Sequence, residues 1–158
     1  MTEQPPGVFH EIRWFEDFAV GQRFVFGAWL MTSESMIEFA RVYDPEPFHL
    51  DEAQARKLGW DGLIASGLQI ASIWRRLSKD AFPNAETVIS PGWDDICWLQ
   101  PVRAGDVLAS HTEIIETRRL ASRPSEGLVK LSNKLVRQDG TPVARLISNW
   151  FVRCRTKR

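Results

Sequence analysis

The sequence predicts a single α+β domain in which an antiparallel sheet packs on one buried helix. Three observations support this prediction: a β-forming segment near the N-terminus, a block of helical patterns after it, and only strand patterns beyond Pro83. A chain of 158 residues without repeats or linkers suits one domain with a substantial core. We therefore expect one domain over residues 1–158, with residues 1–12 as a flexible leader and residues 153–158 as a solvated basic tail.

The N-terminal elements are predicted from β-propensity and from helix start and stop signals. Residues 24–30 are rich in β-forming side chains and predict the first strand. Thr32-Ser33-Glu34-Ser35 then offers N-cap chemistry for a short helix, which Pro45 and Pro47 should end because a proline lacks an amide donor. A second short helix should begin at Asp51, where a capping residue is followed three positions later by a glutamine.

The third helix is predicted to be the centre of the domain. Ser66 has the chemistry of an N-cap, and the segment from Gly67 to Leu77 is apolar on nearly every face over its first three turns. A helix that is apolar all round must be surrounded by other structure. We therefore expect the sheet to cover it.

The remaining part of the chain reads as β-structure. Asp139-Gly140 is a strong hairpin signal between the last two strands, and residues 121–127 are predicted to form a loop. The predicted strands span residues 93–99, 107–115, 128–137 and 143–152.

Composition excludes several classes of function. Twenty basic and twenty acidic residues cancel, so no global field attracts nucleic acid or anionic lipid. Cys97 and Cys154 have neither metal-ligand spacing nor a disulfide pattern. There is no apolar run near the roughly 18 residues of a membrane span and no signal-peptide pattern at the start. We expect a cytoplasmic protein without nucleic-acid or membrane partners.

A candidate acid/base pair lies between the first two helices. His49 follows Asp44 by five residues across a segment stiffened by two prolines, which we expect to be a loop that holds the two side chains without a helix between them. Imidazole exchanges protons near neutral pH. The same residues also fit a structural role, in which Asp44 caps a turn and His49 is simply packed.

Ser66-Gly67 adds a second element to this pair. At the start of a buried helix, unpaired amides and the positive end of the dipole collect, and a glycine lets a ligand oxygen approach them. Two proton-transfer groups and an oxyanion donor are the parts needed for chemistry at a carbon activated by a carbonyl group. The combination favours catalysis over a structural role.

These residues resemble those of a known family. Residues 44–51, Asp-Pro-Glu-Pro-Phe-His-Leu-Asp, and residues 62–67, Gly-Leu-Ile-Ala-Ser-Gly, are similar to the signature of the MaoC-like (R)-specific enoyl-CoA hydratases. Residues 101–107 and Asp139-Gly140 resemble two turns of the same family. The resemblance implies a hot-dog fold, in which an antiparallel sheet wraps a long central helix, and assembly into a homodimer or a dimer of dimers.

The resemblance also implies a reaction. Asp44 and His49 would hold one water and add it to a trans-2-enoyl thioester, giving an (R)-3-hydroxyacyl thioester, or would run the reverse dehydration. The Gly67 amide, beside Ser66, would bind the thioester oxygen. The implied substrate is an acyl-CoA or acyl-carrier-protein thioester, and neither a metal nor another cofactor is expected.

Departures from the family pattern leave other functions open. Glu46 stands where the signature has asparagine, and an inward carboxylate there would favour the imidazolium and modulate the pair. Ser66 stands where the best-known members carry histidine. A hot-dog acyl-CoA thioesterase and a non-catalytic acyl-thioester binding subunit therefore remain alternatives, although the Asp44/His49 pair argues against the thioesterase.

Overall fold

The computed structural model describes residues 7–156, and within that range the chain forms five strands and four helices, preceded by a short 3-10 turn at Phe15–Asp17. One strand precedes the four helices and four strands follow them, in agreement with the α+β prediction. In chain order the elements are β1 (Arg23–Leu30), α1 (Ser33–Tyr43), α2 (Pro47–Leu50), α3 (Glu52–Lys57), α4 (Gly67–Ala81), β2 (Thr87–Trp98), β3 (Val107–Leu120), β4 (Arg123–Val136) and β5 (Pro142–Arg153).

The five strands form one sheet in the order β1-β3-β4-β5-β2, with every neighbouring pair antiparallel. Along β3, buried and partly exposed residues alternate, because successive side chains of a strand point to opposite faces. The buried face packs on α4, where Trp74 is 0% exposed. A sheet wrapped around a central helix is the hot-dog fold, so the predicted fold class is confirmed.

The central helix extends one turn beyond Leu77, the last residue of its predicted apolar segment. It ends at Ala81, and Phe82 follows as the C-cap. The Phe82 ring makes T-shaped contacts with Phe24 at 5.0 Å and with Phe26 at 5.6 Å between ring centroids. These aromatic contacts fix the end of α4 against β1, so tertiary packing extends the helix.

Two strand predictions are wrong in extent. β2 begins at Thr87, six residues before its predicted start, because an edge strand with irregular register accommodates Pro91. The predicted loop at residues 121–127 is mostly strand, since β3 runs to Leu120 and β4 starts at Arg123. The missed part of this hairpin is rich in charged residues, so it lacks the apolar alternation by which a strand is recognised.

Most of the expected leader belongs to the fold. The Gly7 amide donates to the Val25 carbonyl at 2.9 Å, and the Phe9 amide donates to the Ala81 carbonyl at 2.7 Å. The Phe9 ring stacks on Phe82, with centroids 5.4 Å apart. The prediction of a flexible leader is therefore wrong from residue 7 onward, and residues 1–6 lie outside the described range.

The predicted basic tail is likewise tied down as far as it is described. Arg153 is the last residue of β5, and the Arg155 amide donates to Glu16 Oε2 at 2.8 Å. The Arg155 guanidinium pairs with Asp17 at 2.6 Å. Local acidic partners thus hold this part of the chain, while residues 157–158 lie outside the described range.

Two further observations concern the lengths of the helices and the grouping of metal-ligating side chains. Among residues 7–156, the helices are all too short or too polar to cross a bilayer. Within the same range, His, Cys, Asp and Glu side chains do not gather in a group of three or more that could hold a metal ion.

Candidate active site

Asp44 lies at the C-terminal end of α1, a helix whose start and end are each determined by particular residues. Thr32 caps the start of the helix by accepting a hydrogen bond from the Ser35 amide at 3.2 Å. Asp44 is the C-cap, and its amide still donates to the Ala40 carbonyl at 2.9 Å. The following Pro45 disfavours helical backbone at Asp44, so the helix ends with this carboxylate at its tip.

His49 lies on a helical turn, α2, and not on the expected loop. Pro47 occupies the first turn of α2, where a missing amide donor costs nothing. The turn directs the imidazole inward, so that His49 is only 7% exposed. The expectation that no helix separates the pair is therefore wrong, and the helical turn itself gives the ring its fixed direction.

The main-chain carbonyl of Ile64 fixes the tautomer of His49. The imidazole Nδ1 lies 2.8 Å from that oxygen, which can only accept, so Nδ1 carries a hydrogen in both protonation states of the ring. The other nitrogen, Nε2, lies 3.3 Å from Asp44 Oδ2. Nε2 is thus the nitrogen that exchanges a proton, and the structure brings the two predicted catalytic residues together.

Ser66 connects the pair to the central helix. Its hydroxyl accepts a hydrogen bond from the Leu68 amide at 3.1 Å, which confirms the predicted N-cap. The same hydroxyl donates to Asp44 Oδ2 at 2.6 Å. Sequence reasoning missed this second bond, although a capping serine still has a hydrogen that requires an acceptor. Ser66 is 0% exposed, so its oxygen orients Asp44 and cannot itself reach a ligand.

Gly67 is the first residue of α4, and it lines the same cavity as Asp44 and His49. No acceptor for the Gly67 N–H is found within residues 7–156. The amide is therefore available to a ligand oxygen, at the end of the helix where the dipole is positive. Gly67 thus shares a cavity with the acid/base pair, and its role as an oxyanion donor stays a prediction.

A cavity of about 370 Å³ joins these groups, and Asp44, His49 and Gly67 all line it. Its volume is in the range of small-molecule sites. The other walls are mainly apolar and aromatic, and they include Phe48, Trp60, Ile70, Trp98, Leu99 and Val102. Trp60 and Trp98 were not predicted as site residues, because a tryptophan in a turn or strand pattern carries no signal that distinguishes a cavity wall from core.

The structure separates Glu46 from this cavity. Glu46 is the N-cap of α2, its side chain makes no capping hydrogen bond, and it is exposed. Glu46 does not line the cavity that contains Asp44 and His49. The inward orientation that a modulator would need is therefore not the one observed.

The arrangement of these groups determines which chemistry the site can perform. A carboxylate and an imidazole Nε2 can share and move one proton, while an adjacent free amide can stabilise negative charge on an oxygen. An apolar wall beside them excludes water from the rest of a bound molecule. Proton transfer next to an activated carbonyl group is the chemistry that these groups can perform together.

The comparison with known proteins agrees with the proton-transfer chemistry inferred from the site. A family model described as the MaoC like domain matches residues 17–134. The crystal structure of the MaoC-like dehydratase from Rhodospirillum rubrum superposes with a TM-score of 0.85 at 34% identity, covering 91% of this chain and 99% of that one.

Two further proteins are similar over most of the chain. The mitochondrial 3-hydroxyacyl-acyl-carrier-protein dehydratase of Arabidopsis thaliana is 28% identical over 122 residues, which are 74% of this chain and 71% of that protein. The (R)-hydratase from A. caviae involved in PHA biosynthesis has the same fold, with a TM-score of 0.69 at 21% identity over 89% of this chain and 99% of that one.

Proposed function

This chain belongs to the MaoC-like domain family, and from that premise we propose that it adds water to a trans-2-enoyl thioester, or removes water from the (R)-3-hydroxyacyl product. The observation that carries the proposal is the approach of His49 Nε2 to within 3.3 Å of Asp44 Oδ2, in an apolar cavity that also contains the free Gly67 amide. Relatives named as hydratases and dehydratases support the same class of reaction. The substrate we propose is an acyl-CoA or acyl-carrier-protein thioester.

One water between Asp44 and His49 starts the proposed hydration. Nε2 accepts a proton from the water because Nδ1 is already committed to the Ile64 carbonyl. The water oxygen then bonds to the β-carbon of the substrate. Asp44, held by the Ser66 hydroxyl, orients the water and stabilises the imidazolium that forms.

Negative charge moves to the thioester oxygen during this step. As the oxygen adds to the β-carbon, the electron pair of the double bond shifts toward the carbonyl group and forms an enolate. The Gly67 amide at the start of α4 donates to that oxygen, assisted by the helix dipole. The enolate then takes the proton from His49 Nε2 at its α-carbon, which returns the imidazole to its neutral form, so one water is added and no group is oxidised or reduced.

A serine-based hydrolysis of the thioester is disfavoured by the same contacts. The Ser66 hydroxyl is buried, and its hydrogen is directed at Asp44 rather than at His49. A nucleophilic serine would instead need its base within hydrogen-bonding reach and its oxygen open to the substrate. The assay described next also detects hydrolysis of the thioester by a water molecule and binding without turnover.

The first test is an assay of the purified chain with a panel of trans-2-enoyl-CoA and acyl-CoA thioesters. We expect loss of the enoyl absorbance without release of free thiol. Asp44→Asn and His49→Ala should each lower kcat by about 10²-fold or more, because each removes a proton-transfer group. Both variants should keep the circular dichroism spectrum of the wild type.

Three results would contradict the proposal. Release of free thiol would indicate a thioesterase, and binding of thioesters without either reaction would indicate a binding subunit. Near-wild-type turnover in either variant would show that Asp44 and His49 are not the catalytic pair.

We also propose that the protein is a homodimer paired through β2. This strand is an edge of the sheet, and it exposes Val88, Ile89 and Ile96 to solvent, followed by Leu99 just beyond its end. An edge strand with apolar side chains is a template for pairing with another strand. A second copy of β2, related by a two-fold axis, supplies an equal and self-complementary surface.

A further inference from the structure

The indole of Trp98 lies directly on the first residue of the central helix. A Cβ built on Gly67 would come within 2.7 Å of Trp98 Nε1, and it would lie closer still to Trp98 Cε2. Any side chain larger than hydrogen would therefore collide with the indole. The three ring atoms nearest to that position are Cε2, Nε1 and Cδ2, so the five-membered ring of the indole covers the backbone of Gly67 with Nε1 close to it.

The Trp98 side chain is open to the cavity. It is 46% exposed, and it lines the same cavity as Asp44 and His49. The Gly67 amide beside it has no backbone acceptor among the described residues 7–156. The indole nitrogen and the Gly67 backbone thus lie close together in the cavity in which we place the thioester oxygen.

The backbone that carries Trp98 is fixed by the sheet. Trp98 pairs with Ala144 of β5, and the Leu99 amide donates to the Val143 carbonyl at 2.8 Å. A donor mounted on a paired strand needs little reorganisation when charge develops at its acceptor. Because its backbone is paired in the sheet, Trp98 is held more rigidly than an exposed aromatic side chain on a loop would be.

We infer that Trp98 is a catalytic residue whose indole N–H donates a second hydrogen bond, beside that of the Gly67 amide, to the thioester oxygen as it gains enolate character. The inference rests on the proposed hydration and adds a side-chain donor to it. The competing explanation is that the indole only packs on Gly67. A phenylalanine in its place would then serve equally well.

Trp98→Phe tests these explanations, because it keeps an aromatic ring near Gly67 and removes the N–H together with part of the ring area. With a trans-2-enoyl-CoA and the full chain, we expect kcat and kcat/KM to fall together by about tenfold or more, as for a donor used in the transition state. Trp29→Phe, a substitution on β1 outside the cavity, is the matched control and should leave both constants unchanged.

A spectroscopic measurement tests the same hydrogen bond without turnover. In the Asp44→Asn background, a bound cinnamoyl-CoA should absorb at a longer wavelength than the free thioester, because donors to its carbonyl oxygen polarise the conjugated system. Adding Trp98→Phe should reduce that shift while the thioester still binds. A change in packing alone would not alter the polarisation of the carbonyl group.

The outcomes separate the two proposals. If wild type hydrates the substrate and Trp98→Phe retains kcat within twofold, or the bound thioester keeps its full spectral shift, Trp98 is not a donor and the Asp44/His49 reaction stands. If wild type hydrates no enoyl thioester, the proposed function fails and the role of Trp98 fails with it.

Discussion

Ser66 combines two functions in one hydroxyl group. As an acceptor it caps α4 through the Leu68 amide, and as a donor it holds Asp44 Oδ2 at 2.6 Å. The first function affects the stability of the helix, and the second affects the orientation of the proposed catalytic carboxylate. Both are lost together when the oxygen is removed, so a control is needed to separate them.

Ser66→Ala should lower both stability and turnover. Loss of the cap should cost about 1 kcal/mol in the free energy of unfolding, measured by urea denaturation. Loss of the bond to Asp44 should lower kcat by about tenfold, since a hydrogen bond to a charged group contributes roughly 1.5 kcal/mol or more. Ser66→Thr, which retains a hydroxyl, should recover part of both losses.

Thr32→Ala is the matched control for this substitution. Thr32 caps α1 through the Ser35 amide and lies outside the cavity, so its loss should cost a similar free energy without changing kcat. Equal effects of Thr32→Ala and Ser66→Ala on kcat would mean that turnover follows stability alone, and that the bond from Ser66 to Asp44 does not matter.

The fit between β1 and the central helix depends on a local irregularity in the strand. The register of β1 with β3 shifts between Phe26 and Trp29, and Gly27 in that gap has a φ of +86°. A Cβ on Gly27 would lie 2.6 Å from Leu77 Cδ1 of α4. The glycine thus allows both the left-handed backbone and the close approach of the helix.

Gly27→Ala should therefore destabilise the fold by about 3 kcal/mol, of which roughly 1 kcal/mol is backbone strain and the remainder is the collision with Leu77. Gly21→Ala is the control, because Gly21 has a φ of +89° and open space where a Cβ would lie. Thermal and urea unfolding of the two variants should differ by the cost of the collision. Equal losses would show that Leu77 moves aside freely.

Among the helices and strands, the features that were predicted correctly are those that depend on local chemistry. The caps at Thr32, Asp51 and Ser66 and the turn at Gly140 lie where their residue types indicated, because each is decided by a few neighbouring groups. The helical turn of α2 was missed, because Pro47 was interpreted as the end of a helix although proline is also common in the first turn of a helix. The start of β2 was missed because pairing with β5 decides it.

At the scale of the whole molecule, the order of the strands could not be predicted from local patterns. β2 lies beside β5, its partner from the far end of the chain, and long-range pairing of this kind leaves no trace in periodicity. The residues of the candidate site fall into the same two groups. Asp44, His49 and Ser66 were predicted because they belong to motifs of the sequence, whereas Trp98 contacts Gly67 only through the long-range pairing of the sheet.

The proposed dimer predicts different responses at the two edges of the sheet. Ile96→Lys places a charge on the exposed apolar side of β2, so it should convert the dimer to a monomer in sedimentation velocity experiments. Leu30→Lys makes the same change on β1, the opposite edge, and should leave the mass unchanged. Dissociation by Leu30→Lys alone would assign the interface to β1.

The cavity has one wall from each half of the chain, and the Ala65 amide joins the two walls by donating to the Val102 carbonyl at 2.8 Å. A molecule that fills this space touches both walls and therefore behaves as a reversible cross-link between distant segments. Because it binds the folded chain and not the unfolded one, its concentration enters the folding equilibrium directly. The free energy of unfolding should therefore rise with the concentration of any molecule that occupies this cavity.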